Sequence, residues 1–241
     1  MRPAAVLLSC IFLPLAHADY KPVEVASPGT LSGVVTYSGK PVKPKTVIVS
    51  KDRETCGHEP RQVPRVDAGP EGGLAQAVVT LEEIEEGKAF PEGADSAAID
   101  QHHCGFRPPV QIVPLGGKIK VRNSDPILHN IQAVQGTTTL FNHVQPVQGL
   151  EFEETLKEAG PIRLSCNAHS WMAGFVWVSE HPYAVLTAED GKFELTDVPP
   201  GEYFLTVWHP YLGELSEKVA VAAGETLEKN FEFVKRVRSK R

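Results

Sequence analysis

The sequence has little of what several large protein classes need. It contains two methionines in 241 residues, and since Met1 starts the chain, Met172 is the one methionine left in its body. Aromatic residues make up only 7%. Beyond residue 15 no apolar run is long enough to cross a membrane, and no stretch has the apolar period of a long helix. We therefore expect neither an integral membrane protein nor a helical fold.

Catalytic motifs are absent as well. There is no G-x-S-x-G or H-E-x-x-H sequence, which argues against a hydrolase, and no H-x-H pair of the kind that a copper oxidase would need. The formal net charge is −6, and the body of the chain is more acidic still because residues 235–241 form a basic tail. An acidic surface does not suit nucleic-acid binding. We predict a protein that is not an enzyme and does not bind nucleic acid.

Residues 1–18 have the pattern of a secretory signal peptide. Arg2 precedes an apolar run from Ala4 to Leu15, and Ala16-His17-Ala18 supplies a cleavage sequence. We therefore predict a periplasmic or secreted protein.

Removal of that signal would also remove Cys10, so three cysteines would remain. In an oxidising compartment exposed thiols tend to pair unless a metal holds them. A disulfide between Cys56 and Cys104 would leave Cys166 as the metal ligand and no cysteine unexplained. A disulfide of this loop length contributes about 4 kcal/mol to stability on loop-closure arithmetic.

A second interpretation of the same cysteines remains open. Cys56 and Cys104 lie near three histidines in the sequence, His58, His102 and His103. Thiolates and imidazoles are the ligands that zinc prefers. In an exported chain the disulfide is the favoured alternative.

The most informative segment is 165–177, which spaces three metal ligands as C-x2-H-x2-M. These are Cys166, His169 and Met172. One thiolate, two imidazoles and a weak axial thioether are the ligands of a blue-copper centre, so a second histidine must come from elsewhere. His129 is the first candidate because it follows a strand-like segment and a turn, and His143 is its rival. We predict one type 1 copper ion.

Short alternating segments separated by glycine, proline and Asp-Gly turns predict an all-β fold made of β-sandwiches. At the start of the body, residues 29–50 alternate as two strands joined by a Gly-Lys-Pro turn, which predicts a β-hairpin.

The C-N-A-H-S-W-M loop from Cys166 to Met172, together with His129-Asn130 upstream, resembles the cupredoxin (blue-copper, amicyanin- and plastocyanin-like) family. The resemblance implies a Greek-key β-sandwich in which Asn130 links the two ligand loops. It also implies that His169 is the ligand nearest solvent. A redox partner protein would then dock near His169 and Trp171.

A second resemblance lies in T-A-E-D-G-K-F-E-L-T-D-V-P-P-G-E-Y-F-L-T-V-W-H, which is similar to a carboxypeptidase-regulatory-like (transthyretin-like) β-sandwich, a fold close to carbohydrate-binding modules. Such domains open with a strand and turn like those at residues 29–41. We therefore expect this smaller sandwich to comprise residues 29–50 and 180–234, with the copper domain, residues 51–179, inserted into it. A tandem arrangement is the alternative.

The predicted function is one-electron transfer by an exported type 1 copper protein. Two alternatives stay open at this point. One is a copper carrier or chaperone, which would hold Cu(I) and move metal rather than electrons. The other is a metal-free β-sandwich module that binds a glycan or a protein.

Overall fold

The computed structural model describes residues 20–234. The predicted signal peptide, residues 1–18, and the basic tail, residues 235–241, lie outside the described residues. Within residues 20–234, no helix has the length and apolarity needed to span a membrane.

The described chain is almost entirely β-structure, which confirms the predicted fold class. Its single helix, α1, is one turn long and covers Arg53–Cys56. The strands in chain order are β1 (Lys21–Pro22), β2 (Gly29–Tyr37), β3 (Lys45–Val47), β4 (Arg61–Val63), β5 (Val78–Glu82), β6 (Glu86–Gly87), β7 (Ser96–Gln101), β8 (Phe106–Arg107), β9 (Val110–Pro114), β10 (Lys118–Asn123), β11 (His129–Gln135), β12 (Thr138–Gln145), β13 (Glu151–Thr155), β14 (Gly160–Ser165), β15 (Ala173–Ser179), β16 (Ala184–Leu186), β17 (Lys192–Val198), β18 (Gly201–His209), β19 (Gly213–Val221), β20 (Thr226–Glu228) and β21 (Phe231–Phe233).

Two sheets enclose a first apolar core. One has the order β16-β5-β18-β19, and the other has the order β17-β2-β20, with β21 also paired to β2. Side chains alternate between the two faces of a strand, so every second residue of β2 is buried, including Leu31 and Val35. Tyr183, Leu205 and Phe233 are among the largest side chains that fill this core.

A second core lies between the sheets β13-β10-β7-β8 and β12-β11-β14-β15-β9. In β10 the buried and exposed positions alternate strictly, with Ile119 and Val121 facing inward. Ile162 and Leu164 of β14 are buried in the same core, and Cys166 follows them. This second core is the one that positions the predicted metal ligands.

The division of strands between the two cores differs from the predicted domain boundaries in two places. β5 lies within residues 51–179, but it pairs with β16 and β18 and packs in the first core. The predicted hairpin in residues 29–50 does not form, because β3 pairs with β4 and Val49 packs in the second core. Alternation marks a strand, but it does not say which sheet the strand joins.

Aromatic side chains pack β15 against β18. Phe175 and Trp177 lie on β15, and their ring centroids are 5.9 and 5.4 Å from that of Trp208 on β18. Tyr211 lies 5.9 Å from Phe175 on the same side. Tilted and edge-on rings at such distances attract one another. The strand that follows the C-x2-H-x2-M loop therefore packs against β18 through side chains that lie outside both cores.

The second core allows a matched test of packing at β11. Ile131 is fully buried, whereas Leu128, just before the strand, is 45% exposed. Ile131→Ala should lower the free energy of unfolding by about 2–5 kcal/mol, because it removes methyl groups and leaves a cavity. Leu128→Ala should change it by about 0.5 kcal/mol or less. Urea denaturation measures both, and equal losses would contradict the burial of β11.

Candidate metal centre

Two loops bring His129, Cys166 and His169 together. β11 and β14 are antiparallel, with Gln132 opposite Ser165. Continuing that register past the end of β14 places His129, the first residue of β11, beside the loop that begins at Cys166. The convergence of these residues therefore follows from the pairing of two strands distant in sequence.

The donor atoms of these three side chains form a compact triangle. The Cys166 Sγ atom is 4.0 Å from His129 Nδ1 and 3.8 Å from His169 Nδ1, and the two Nδ1 atoms are 3.0 Å apart. All three residues are buried. Metal bonds of about 2.0 Å to nitrogen and 2.3 Å to sulfur would place trigonal donors roughly 3.5 to 3.7 Å apart. A small adjustment of the imidazoles would suit a copper ion, so the donor set fits the metal.

Met172 lies at the end of the same loop. Its backbone N–H donates a 2.9 Å hydrogen bond to the carbonyl of His169, which closes the loop into a turn. Its side chain is 2% exposed and belongs to the second core, as does Cys166. Met172 and Cys166 are thus buried in the same apolar core.

Asn130 connects the two loops through its side-chain oxygen. Oδ1 accepts hydrogen bonds from the backbone N–H groups of Asn167 and Ala168, at 2.7 and 3.2 Å, and from the thiol of Cys166 at 3.5 Å. Its amide nitrogen donates to Asn142 on β12 at 2.9 Å. Asn130 therefore fixes the position of the cysteine relative to β11.

Each histidine also contacts a carboxylate through its other ring nitrogen, which the sequence analysis missed. His129 Nε2 lies 2.8 Å from Asp125 Oδ2, and His169 Nε2 lies 2.9 Å from Asp52 Oδ2. Contacts of this kind fix the ring orientation and increase the basicity of a ligating imidazole. Asp125 stands four residues before His129 in a turn and could have been noticed, whereas Asp52 lies 117 residues from His169.

The electrostatics favour an ionised cysteine. Burial by itself would raise the pKa of the Cys166 thiol, but hydrogen bonds with His129 and His169 and with nearby backbone groups lower it to about 6. Burial would lower the pKa of His129, yet its contacts with Cys166 and Asp125 raise it. The pKa of Asp125 is lowered, since hydrogen bonds from Cys104, His129 and His103 outweigh the effect of burial. The thiolate is the form of cysteine that binds metals.

A disulfide between Cys56 and Cys104 lies next to this triangle. The Asp125 carboxylate accepts hydrogen bonds of 2.8 Å from the backbone N–H groups of His103 and Cys104. The indole N–H of Trp171 donates to the Cys104 carbonyl at 3.1 Å. The disulfide therefore belongs to the wall of the site.

The predicted docking surface near His169 and Trp171 is buried in this structure. His169 was expected to be the ligand nearest solvent, but its side chain is fully buried, and Trp171 is 8% exposed. The reason is the segment around α1 and the disulfide, which brings Asp52 over the outer nitrogen of His169. Neither residue presents an open patch to a partner.

The rival histidines lie elsewhere. His143 is on β12, where its Nε2 pairs with Glu154, and its ring lies 4.2 Å from that of Phe152. The rings of His102 and His103 stack on each other at 4.0 Å. Among the described residues, the groups that could hold a metal include none of His58, His102, His103 and His143.

Comparisons with known proteins found partial structural similarity to solved cupredoxins. No protein-family model and no curated protein matches the chain. Among solved structures, the purple cupredoxin from Nitrosopumilus maritimus is 29% identical over 34% of this chain and 99% of its own, with a TM-score of 0.32. An oxidised amicyanin mutant is 25% identical over 42% and 98%, and amicyanin from Paracoccus versutus is 19% identical over 42% and 97%, both with TM-scores of 0.32.

The lowered pKa of Cys166 gives a direct spectroscopic prediction. In metal-free protein the ultraviolet absorbance of the thiolate should disappear as the pH falls through about 6. His129→Ala removes a hydrogen bond to the thiolate and should therefore move this midpoint to higher pH. His143→Ala is the matched control and should leave it unchanged. A midpoint near the ordinary cysteine pKa of about 8.5 in the wild type would contradict the arrangement.

Proposed function

We propose that this protein carries single electrons with one type 1 copper ion. The observation that supports it is the triangle of His129 Nδ1, His169 Nδ1 and Cys166 Sγ. Two imidazoles and a thiolate with a weak axial thioether are the donors of blue-copper sites. Met172 would be the fourth residue that holds the metal. Bound copper would supply the one-electron couple.

The role of the protein would be to keep these donors still. Asn130 and Asp125 hold the cysteine and His129 from two directions, and Asp52 orients His169. Donors that are fixed before the metal changes oxidation state need little rearrangement, which lowers the barrier to electron transfer. The protein would act as a carrier rather than as an enzyme.

A redox partner protein would have to approach His169 through the segment that covers it. The side chain of Asp52 is 37% exposed and contacts the outer nitrogen of His169. We place the docking surface over Asp52, not over Trp171. The electron would then pass along the contact between the carboxylate and the imidazole.

The proposed setting is the periplasm or the exterior of the cell. A disulfide beside the metal site suits an oxidising compartment, in line with the predicted signal peptide. In the proposed domain arrangement, the copper domain is inserted into a carboxypeptidase-regulatory-like sandwich. The first core supports this arrangement. It combines β2, which precedes the residues of the second core in the sequence, with β18, which follows them.

Reconstitution of the metal-free protein with Cu(II) tests the function. The protein should turn blue, and its colour should disappear and return on reduction and oxidation. Cys166→Ser should abolish the blue band because the thiolate provides the charge transfer, while Met172→Leu should keep the colour and raise the reduction potential. His143→Ala is the control. A colourless wild type that binds no copper would favour the metal-free module, and a Cys166→Ser variant that stays blue would refute the ligand assignment.

The carboxylate on His129 should tune the potential. A negative charge behind the imidazole favours Cu(II), so Asp125→Asn should raise the reduction potential in a redox titration. Glu154→Gln removes the carboxylate that pairs with His143 and serves as the matched control. If both variants shift the potential equally, Asp125 has no special effect on the metal.

A further inference from the structure

The disulfide places two more sulfur atoms beside a proposed copper ligand. The Sγ atoms of Cys56 and Cys104 and a ring nitrogen of His169 lie within 4.8 Å of one another. The Cys166 Sγ atom is 3.8 Å from His169 Nδ1. Three sulfur atoms thus surround one buried imidazole. A disulfide needed only for stability could lie anywhere in the fold.

We propose that reduction of the Cys56–Cys104 disulfide creates an alternative metal site, made of these two thiolates and His169, that binds Cu(I) when His169 does not hold the type 1 ion. Thiolates are soft ligands and select Cu(I) over harder cations. The donors already lie close enough together for this purpose, and all three side chains are buried. The proposal rests on the proposed function in that copper is the metal supplied to this part of the protein.

The chemistry balances with an external dithiol or phosphine as reductant. Two electrons and two protons convert the Cys56–Cys104 bond into two thiols, while a dithiol becomes a disulfide or a phosphine takes up oxygen from water. Binding of Cu(I) then displaces the thiol protons to solvent. The second step transfers no electrons.

The two cysteines differ in how firmly the fold holds them. Cys104 is fixed by Asp125, which accepts its N–H, and by Arg61, which donates to its carbonyl at 3.0 Å. Cys56 ends the single turn of α1 and is the one buried residue in the segment 51–60. Cys56 therefore lies in a segment that is otherwise open to solvent. Once the bond is broken, Cys56 can adjust its position while Cys104 stays in place.

The test uses the full chain in the Cys166→Ser background, where the type 1 site has lost its thiolate. Cu(I) is titrated against a chromogenic Cu(I) chelator, without oxygen, before and after reduction by a phosphine that is then removed. The reduced form should bind one Cu(I) with an affinity about tenfold or more above that of the disulfide form, because thiolates are soft ligands. X-ray absorption should give two sulfur ligands and at least one nitrogen. Equal retention before and after reduction overturns the proposal.

Two further variants distinguish a folded site from a loose pair of thiols. Adding Cys56→Ser to this background should abolish the gain in Cu(I) binding. Adding His169→Ala should weaken it, since the imidazole is the third ligand, whereas His143→Ala should not. A reduced protein that binds Cu(I) equally well without His169 would overturn the proposal, because an unfolded dithiol would behave in that way. Failure of the type 1 function appears separately, as a wild type in its disulfide form that does not turn blue.

Discussion

The site depends first on one buried carboxylate. Asp125 is 2% exposed and accepts hydrogen bonds from the ring of His129 and from the backbone of His103 and Cys104, while its own N–H donates to the side chain of Asn123. A buried charge is tolerated when its hydrogen bonds are complete. Asp125 thus joins His129 to the disulfide segment and fixes both.

The second constraint is the pairing of β11 with β14, which sets where the two loops meet. Because the register of antiparallel strands is fixed by their buried faces, a shift of one residue would turn Cys166 away from the core. Asn130 and Asp52 then hold in place donor atoms that are already close together. The result is a buried triangle of donor atoms, held in place by polar contacts, inside an apolar sandwich.

Alternation and turn residues were enough to predict an all-β chain, and the spacing of Cys166, His169 and Met172 drew attention to the loop that contributes two residues to the candidate metal site. They could not predict that β5 belongs to the first core or that β3 pairs with β4, because any exposed strand edge can accept a partner. The burial of His169 was also missed. It depends on Asp52, which reaches the site through a disulfide-bound turn that local pattern does not reveal.

The proposed function requires the side chains of residues 129, 166 and 169 to bind one copper ion together. X-ray absorption of the protein reconstituted with a single equivalent of Cu(II) tests it most directly. The arrangement predicts one short copper–sulfur bond and two imidazole nitrogens. A copper ion surrounded only by nitrogen and oxygen, with no sulfur in its coordination sphere, would contradict it.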